Sequence, residues 1–269
     1  MKKTLTLILC SPFFISCVSS TSNSDIINKL EVDFNYDEIS GSEVAYTGYS
    51  IKNQKYLIDL QNAGGDTFKL DLIIPSDVII KGINYSVTEI GRNEFPNVYV
   101  RSVVIPNSVT RIGQFAFAGC AKLEKIVISN SVTHIGQFAF AGCAKLENIV
   151  IPNSVTHIGS KAFEGCVALR SLVIPASVTS IGAGVFSNCK YLETITFENP
   201  EPPYSYSQDA EDSSSDIPLP PPPINEPNLT HVFSGSNVKT VYVPAGAVDT
   251  YKEYFSLILG MEINVLPIK

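Results

Sequence analysis

Residues 100–120 read VRSVVIPNSVTRIGQFAFAGC, and the string returns almost unchanged three times: LEKIVISNSVTHIGQFAFAGC over 123–143, LENIVIPNSVTHIGSKAFEGC over 146–166 and LRSLVIPASVTSIGAGVFSNC over 169–189. Two residues separate successive copies, so the period is 23. Self-similarity at a fixed period of this length marks a solenoid, because each unit is too small to bury its own apolar face and does so against the next.

The columns of the alignment assign a place to each residue. Val103, Ile126, Ile149, Leu172 and Ile195 make one apolar column, and Ile105, Ile128, Ile151, Ile174 and Phe197 make another two residues later. A spacing of two is that of a strand with both positions facing inward. Pro106, Pro152 and Pro175 end the strand, having no N–H to give to a ladder, and Ser129 stands there in the second copy. Val109, Val132, Val155 and Val178 turn inward again, and Ile112, Ile135, Ile158 and Ile181 follow. The glycines after them, Gly113, Gly136, Gly159 and Gly182, suit a sharp bend or a positive φ. Phe117, Phe140, Phe163 and Phe186 are expected to stack as a buried ladder.

The unit C-x-x-L-x-x-I-x-I-P-x-S-V-T-x-I-G-x-x-A-F-x-G-C resembles the leucine-rich repeat of the BspA-like family. The resemblance implies a mainly β fold: a leucine-rich-repeat solenoid of about 23-residue coils, occupying 70–198. It also implies a bacterial surface protein, since members are mostly surface proteins of host-associated bacteria and several are described as adhesins for matrix or plasma proteins. Upstream, Leu72-Ile73-Ile74-Pro75 and Tyr85 to Gly91 repeat the two halves of a coil around a hairpin-sized insertion, and residues 31–69 read as a β-rich N-terminal cap. Downstream, over 231–269, Val238, Val241, Val243 and Pro244 form a last repeat. Ala247 to Phe255 form a short helical cap over the exposed end of the core.

Residues 1–16 are expected to lie outside the fold. Lys2 and Lys3 precede an apolar run from Leu5 to Ile15 that is too short to span a bilayer and has the layout of a secretory leader. Its end, Phe14-Ile15-Ser16-Cys17, resembles the lipobox of bacterial lipoproteins with Phe14 in place of the usual leucine, which implies lipidation of Cys17. The expectation is export and a membrane anchor at the cell surface or outer membrane, with residues 17–30 as a tether. Residues 199–230 carry Asp209, Glu211 and Asp212, three serines and the run Pro218 to Pro223, without apolar periodicity, and read as an acidic, proline-rich disordered insert.

Composition narrows the chemistry. A net charge of −7 and the absence of any basic run exclude a nucleic-acid partner. Cys120, Cys143, Cys166 and Cys189 occupy one column, and parallel side chains do not converge tetrahedrally, so neither zinc nor a disulfide is expected and no cofactor is implied. His134 and His157 stand one period apart between Arg111 and Ser180, with no third ligand, and His231 lies beyond the insert. No hydrolase, zinc-protease or phosphate-loop motif occurs, so no catalytic residue is assigned and no enzyme is expected.

The outward strand positions are more informative. Ile73, Val104, Val127, Val150, Val173, Thr196 and Tyr242 form a stripe on the order of 30 Å long at about 4.8 Å per strand, beside Lys125 and Asn148. An exposed apolar stripe rimmed by polar residues suits a protein ligand. The alternative is that β-branched residues stand there because they suit strands, in a structural or envelope-assembly lipoprotein without a host ligand. A carbohydrate-binding subunit has less to rest on, as the chain has no Trp.

Overall fold

The computed structural model describes residues 5–7, 32–40, 43–51, 70–80, 83–91, 100–206, 232–259 and 263–269. Cys17, the tether, His231 and the proline run lie outside them.

The molecule is a solenoid of short strands, about six turns of some 23 residues, with each coil resting on the one before. One long sheet begins at the N-terminal side with β1 (Leu5–Leu7), β2 (Val32–Ser40) and β3 (Glu43–Ile51), of which β1/β2 and β2/β3 are antiparallel. Strands β2 and β3 fall in the span expected to form a β-rich cap. Strand β3 then runs parallel to β6 (Ile83–Ile90), and from there the sheet continues through two- and three-residue strands, one per coil. These are β8 (Arg111–Ile112), β10 (His134–Ile135), β11 (His157–Ile158), β13 (Ser180–Gly182) and β15 (Tyr204–Tyr206), preceded in chain order by the strands named next.

The other wall carries β4 (Leu70–Ile73), β7 (Val100–Val104) and β9 (Lys125–Val127) in one parallel sheet. It carries β12 (Ser171–Ile174), β14 (Thr194–Phe197), β16 (Thr240–Val243) and β17 (Asn264–Pro267) in a second. Between β4 and β6 the chain inserts β5 (Asp77–Ile80), antiparallel to β6, in the place of the hairpin-sized insertion.

The core is one continuous apolar column, and the repeat columns land in it as their spacing required. Val103, Val109, Phe140, Phe163, Leu146 and Cys143 are fully buried. The rings Phe117, Phe140, Phe163, Phe186 and Phe233 stack face to face at 5.4 to 5.9 Å between centroids, so the ladder gains a fifth rung from beyond the insert. Helix α1 (Val248–Leu259) closes the end: Phe255 meets Phe197 and Phe233, and the Tyr251 hydroxyl donates to the carbonyl of Asn199 at 2.9 Å.

Residues 199–206, assigned to the insert by composition, are part of the fifth coil. Tyr204 pairs with Ser180, Pro203 is buried, and the Tyr254 hydroxyl donates to the Pro203 carbonyl at 2.7 Å. Low apolar content concealed this, because the coil there is held by backbone carbonyls and tyrosine hydroxyls.

Glycine has two separate duties, and the sequence reading assigned one of them to the wrong column. Gly113, Gly136, Gly159 and Gly182 do not adopt a positive φ. They stand where coils touch: a Cβ on Gly159 would lie 2.4 Å from the Gln137 amide nitrogen. Left-handed backbone falls instead at Gly119, Gly142, Gly165 and Asn188, and at Phe115, Phe138, Lys161 and Gly184. For a phenylalanine or lysine that conformation costs about 1–2 kcal/mol.

Candidate functional site: the strand face and the opposite corner

On the strand face each coil contributes two inward side chains and one outward. Ile126, Ile149 and Leu172 are buried, whereas Val104, Val127, Val150 and Val173 are 38%, 44%, 78% and 47% exposed. Thr196 and Tyr242 continue the column half-buried, and Ile73 begins it half-buried. Lys125 and Asn148 are exposed beside it. The structure therefore brings the expected residues to one face in one column.

The face is not one uninterrupted ladder, as the repeat had led us to expect. The three-stranded sheet ends at β9 and the four-stranded sheet starts at β12, and residues 148–151 of the third copy are in neither. No backbone hydrogen bond joins residues 147–151 to the coil on either side. Where ladders do form, the Glu124 amide donates to the Arg101 carbonyl and the Glu193 amide to the Arg170 carbonyl. Each of those junctions pairs opposite charges. The second-to-third junction sets Glu124 beside Glu147, and like charges across a strand pair oppose its closing. Nothing in the structure explains the open third-to-fourth junction, where Glu147 meets Arg170. Val150 stands out furthest at this break.

The rim is polar. The Arg101 guanidinium makes two bonds to the Asp71 carboxylate, which also accepts from the Ser102 hydroxyl at 2.6 Å. Lys239 pairs with Glu193 at 3.3 Å, both largely exposed, a pair worth little to stability in water. The Arg170 guanidinium lies 5.8 Å from the exposed Tyr191 ring.

The other columns are occupied with structure. The thiols of Cys143, Cys166 and Cys189 donate to the carbonyls of Phe117, Phe140 and Phe163 in the preceding coil at 3.0 to 3.3 Å, a sulfur ladder parallel to the ring ladder. None of the four column cysteines is in a disulfide and all are buried, and burial pushes the thiols of Cys120 and Cys189 up to about 12. They remain protonated donors at neutral pH. The hydroxyls of Thr133 and Thr156 likewise donate to the carbonyls of Thr110 and Thr133.

His134 and His157 lie face to face, centroids 4.6 Å apart and planes 7° from parallel, each Nδ1 within 2.8 Å of the adjoining threonine hydroxyl. Burial and the charge of Arg111 lower the His157 pKa. Among the described residues no group of three His, Cys, Asp or Glu side chains could hold a metal ion. At the corner beyond the histidines, Phe115 and Phe138 stack at 4.8 Å, half-buried, with the Lys161 ammonium 5.3 Å from the Phe138 ring. Sequence reasoning missed this pair, for which the only signal was an aromatic repeated outside the core columns.

Residues 88–202 match the family model for the BspA type leucine rich repeat region in six copies. Over residues 88–202 the coils are BspA-type leucine-rich repeats. Among solved structures, the chain is similar to the leucine-rich repeat protein TpLRR of T. pallidum, at 29% identity over 61% of this chain and 68% of that one, with a TM-score of 0.47. It is also similar to the pneumococcal vaccine antigen PcpA, at 18% identity over 87% of this chain and 51% of that one, with a TM-score of 0.52. A leucine rich cell surface protein from Faecalibacterium prausnitzii is 22% identical over 94% of this chain and 73% of that one, at a TM-score of 0.47. At these identities what the chain shares with PcpA is the fold, over about half of that protein's length. No curated protein matches the chain. BspA-type solenoids of this kind are repeat scaffolds, and among the described residues no helix is long and apolar enough to cross a membrane.

Proposed function

We propose that this BspA-type solenoid is an exported, surface-anchored binding protein that engages a protein ligand through its strand face and has no catalytic role. The observation that carries the reading is the column of exposed valines, Val104, Val127, Val150 and Val173, set beside charged and polar columns on a wall whose inward-facing apolar positions are buried. Solvent-facing valine at four consecutive coils is more apolar surface than a strand needs, and such patches with polar rims are contact surfaces. Within the stripe, the centre of the interface falls at Val127 and Val150, since binding energy concentrates in the desolvated middle. Lys125, Asn148, Thr196 and Tyr242 complete the surface.

The soluble part from Ser19 onward is used to capture ligands from host matrix, plasma and bacterial envelope fractions. The pair Val127→Glu with Val150→Glu places two charges at the centre while leaving the inward isoleucines in place, and is expected to weaken binding at least about tenfold, or 1.4 kcal/mol. Thr133 and Thr156 are poor control positions because their hydroxyls tie adjacent coils together. Lys252→Glu, on the exposed side of α1, changes the net charge equally and should leave binding intact. A folded double valine variant that binds like the parent would remove the strand face from consideration and leave the reading of a structural envelope protein.

Anchoring through Cys17 is the second part of the proposal and rests on the leader and its lipobox-like end. Expressed in a bacterium, the parent is expected in the detergent phase with an acyl mass that Cys17→Ala lacks. Equal masses after correction for the substitution would end the lipoprotein reading.

A further inference from the structure

We infer that residues 147–151 form a movable latch in the strand wall, raised in this state and able to drop into ladders with the coils on both sides. The rest of the third coil is tied to the second. Phe140 and Phe163 stack at 5.4 Å and the imidazoles of His134 and His157 at 4.6 Å, while the Thr156 hydroxyl and the Cys166 thiol donate to the carbonyls of Thr133 and Phe140. The segment is held at both ends. Leu146 is fully buried with its amide on the Cys143 carbonyl at 3.1 Å, and beyond the segment the Val155 amide donates to the Pro152 carbonyl at 3.0 Å. Between these anchors no backbone bond reaches a neighbouring coil. The gap brings solvent to the margin of the core. Ile126, Ile128 and Ile149 keep 7%, 9% and 8% of their surface exposed, against 0% for Val103, 2% for Ile105, 3% for Leu172 and 1% for Ile174.

Charge holds the latch up. Along the rim the residues run Asp71, Arg101, Glu124, Glu147, Arg170, Glu193 and Lys239, and their signs alternate at every step except from Glu124 to Glu147. Like charges on adjoining strands oppose pairing, and this step is where the wall parts. The bonds that close it follow from the junctions already made. The Glu124 amide donates to the Arg101 carbonyl and the Ile105 amide to the Val127 carbonyl. One period on, the Glu147 amide reaches the Glu124 carbonyl and the Ile128 amide the Val150 carbonyl. On the other side, the Arg170 amide reaches the Glu147 carbonyl and the Ile151 amide the Val173 carbonyl. Both sets form in one movement of the segment, which brings Val150 down from its 78% exposure towards the level of Val127 and Val173. A ligand lying across all three valines therefore favours the lowered state, so that its binding and the closing of the ladders are linked. That consequence rests on the strand face being the binding surface, whereas the latch itself does not.

Amide hydrogen exchange of the full chain, followed residue by residue by NMR and corrected for intrinsic rates, tests the latch. In the parent, the amides of Ile128, Glu147, Ile151 and Arg170 are expected to exchange at least about tenfold faster than the bonded amides of Ile105, Glu124 and Glu193. Glu124→Gln removes the like-charge step and leaves Glu147 facing Arg170, and should slow all four amides about threefold. About 1 M salt, which screens the carboxylate pair, should slow them in the unmutated parent as well. Glu193→Gln changes the net charge equally at a junction that is already joined, and should leave the four as they were. Parent amides as slow as the bonded ones would mean that the wall is closed, and slowing of Ile128 and Glu147 alone would mean that the segment does not move as one. The latch is equally overturned if neither Glu124→Gln nor salt slows exchange, or if Glu193→Gln slows it as much. No ligand enters these measurements, so a failed latch and a failed binding face are told apart.

Discussion

Replacing Phe140 or Phe163 by alanine is expected to lower the stability of the solenoid by about 3–5 kcal/mol, the cost of truncating a large ring in a closed core. Both rings are fully buried, and each is stacked on both sides, Phe140 between Phe117 and Phe163 and Phe163 between Phe140 and Phe186. Removing one therefore takes one stacking contact from each of two neighbours as well as leaving a cavity. In a stack where each coil contacts only the next, the defect divides the chain into two shorter arrays. Urea unfolding should show a lower midpoint and, if the arrays separate, a smaller slope for the main transition. A loss below about 1 kcal/mol would mean that the ladder is not the core of the coils.

Gly159→Ala and Gly182→Ala are expected to cost about 1–3 kcal/mol or more, although alanine is nominally the mildest of changes. The new Cβ would stand 2.4 Å from the Gln137 amide nitrogen in the first case and 2.2 Å from the Ser160 amide nitrogen in the second, against backbone that cannot give way without parting the coils. Two comparisons isolate the cause. Gly165→Ala meets no atom closer than 3.8 Å but sits at a φ of +69°, so its cost of about 1–2 kcal/mol is purely one of backbone. Gly246→Ala has nothing within 4 Å and should be close to neutral. If all four positions respond alike in thermal unfolding, close approach is not what selects glycine after each isoleucine.

The period of 23 was enough to place the core, because burial depends on which residues share a column and columns are read from the sequence directly. It also sent Val104, Val127, Val150 and Val173 outward together. What it could not convey is the fit between one coil and the next. The glycine column, which suits a bend or a positive φ, has no positive φ and stands in close contact with the coil before, and the strand wall opens at the third coil. Both depend on distances between chain segments 23 residues apart, which no single copy encodes. The left-handed corner was hidden for a different reason: Phe115, Phe138 and Lys161 carry none of the composition by which positive φ is usually recognised. Likewise, Asn199 to Tyr206 are ordered by hydroxyl and carbonyl bonds that leave no apolar pattern to read.

The fifth coil also bears on how such chains vary in length. Thr194 pairs with Thr240, a separation of 46 residues, where Ser171 pairs with Thr194 across 23. A full extra period has been taken up at a single corner, and the ring ladder, the sulfur-side turn and the next strand resume in register as though nothing had intervened. The corner between the glycine and the phenylalanine is thus a point at which length and architecture are independent of each other. An evolving solenoid can lengthen there without re-solving its packing. The equivalent position between Ala183 and Gly184 is accordingly where a foreign loop could be grafted at least cost to the coils around it.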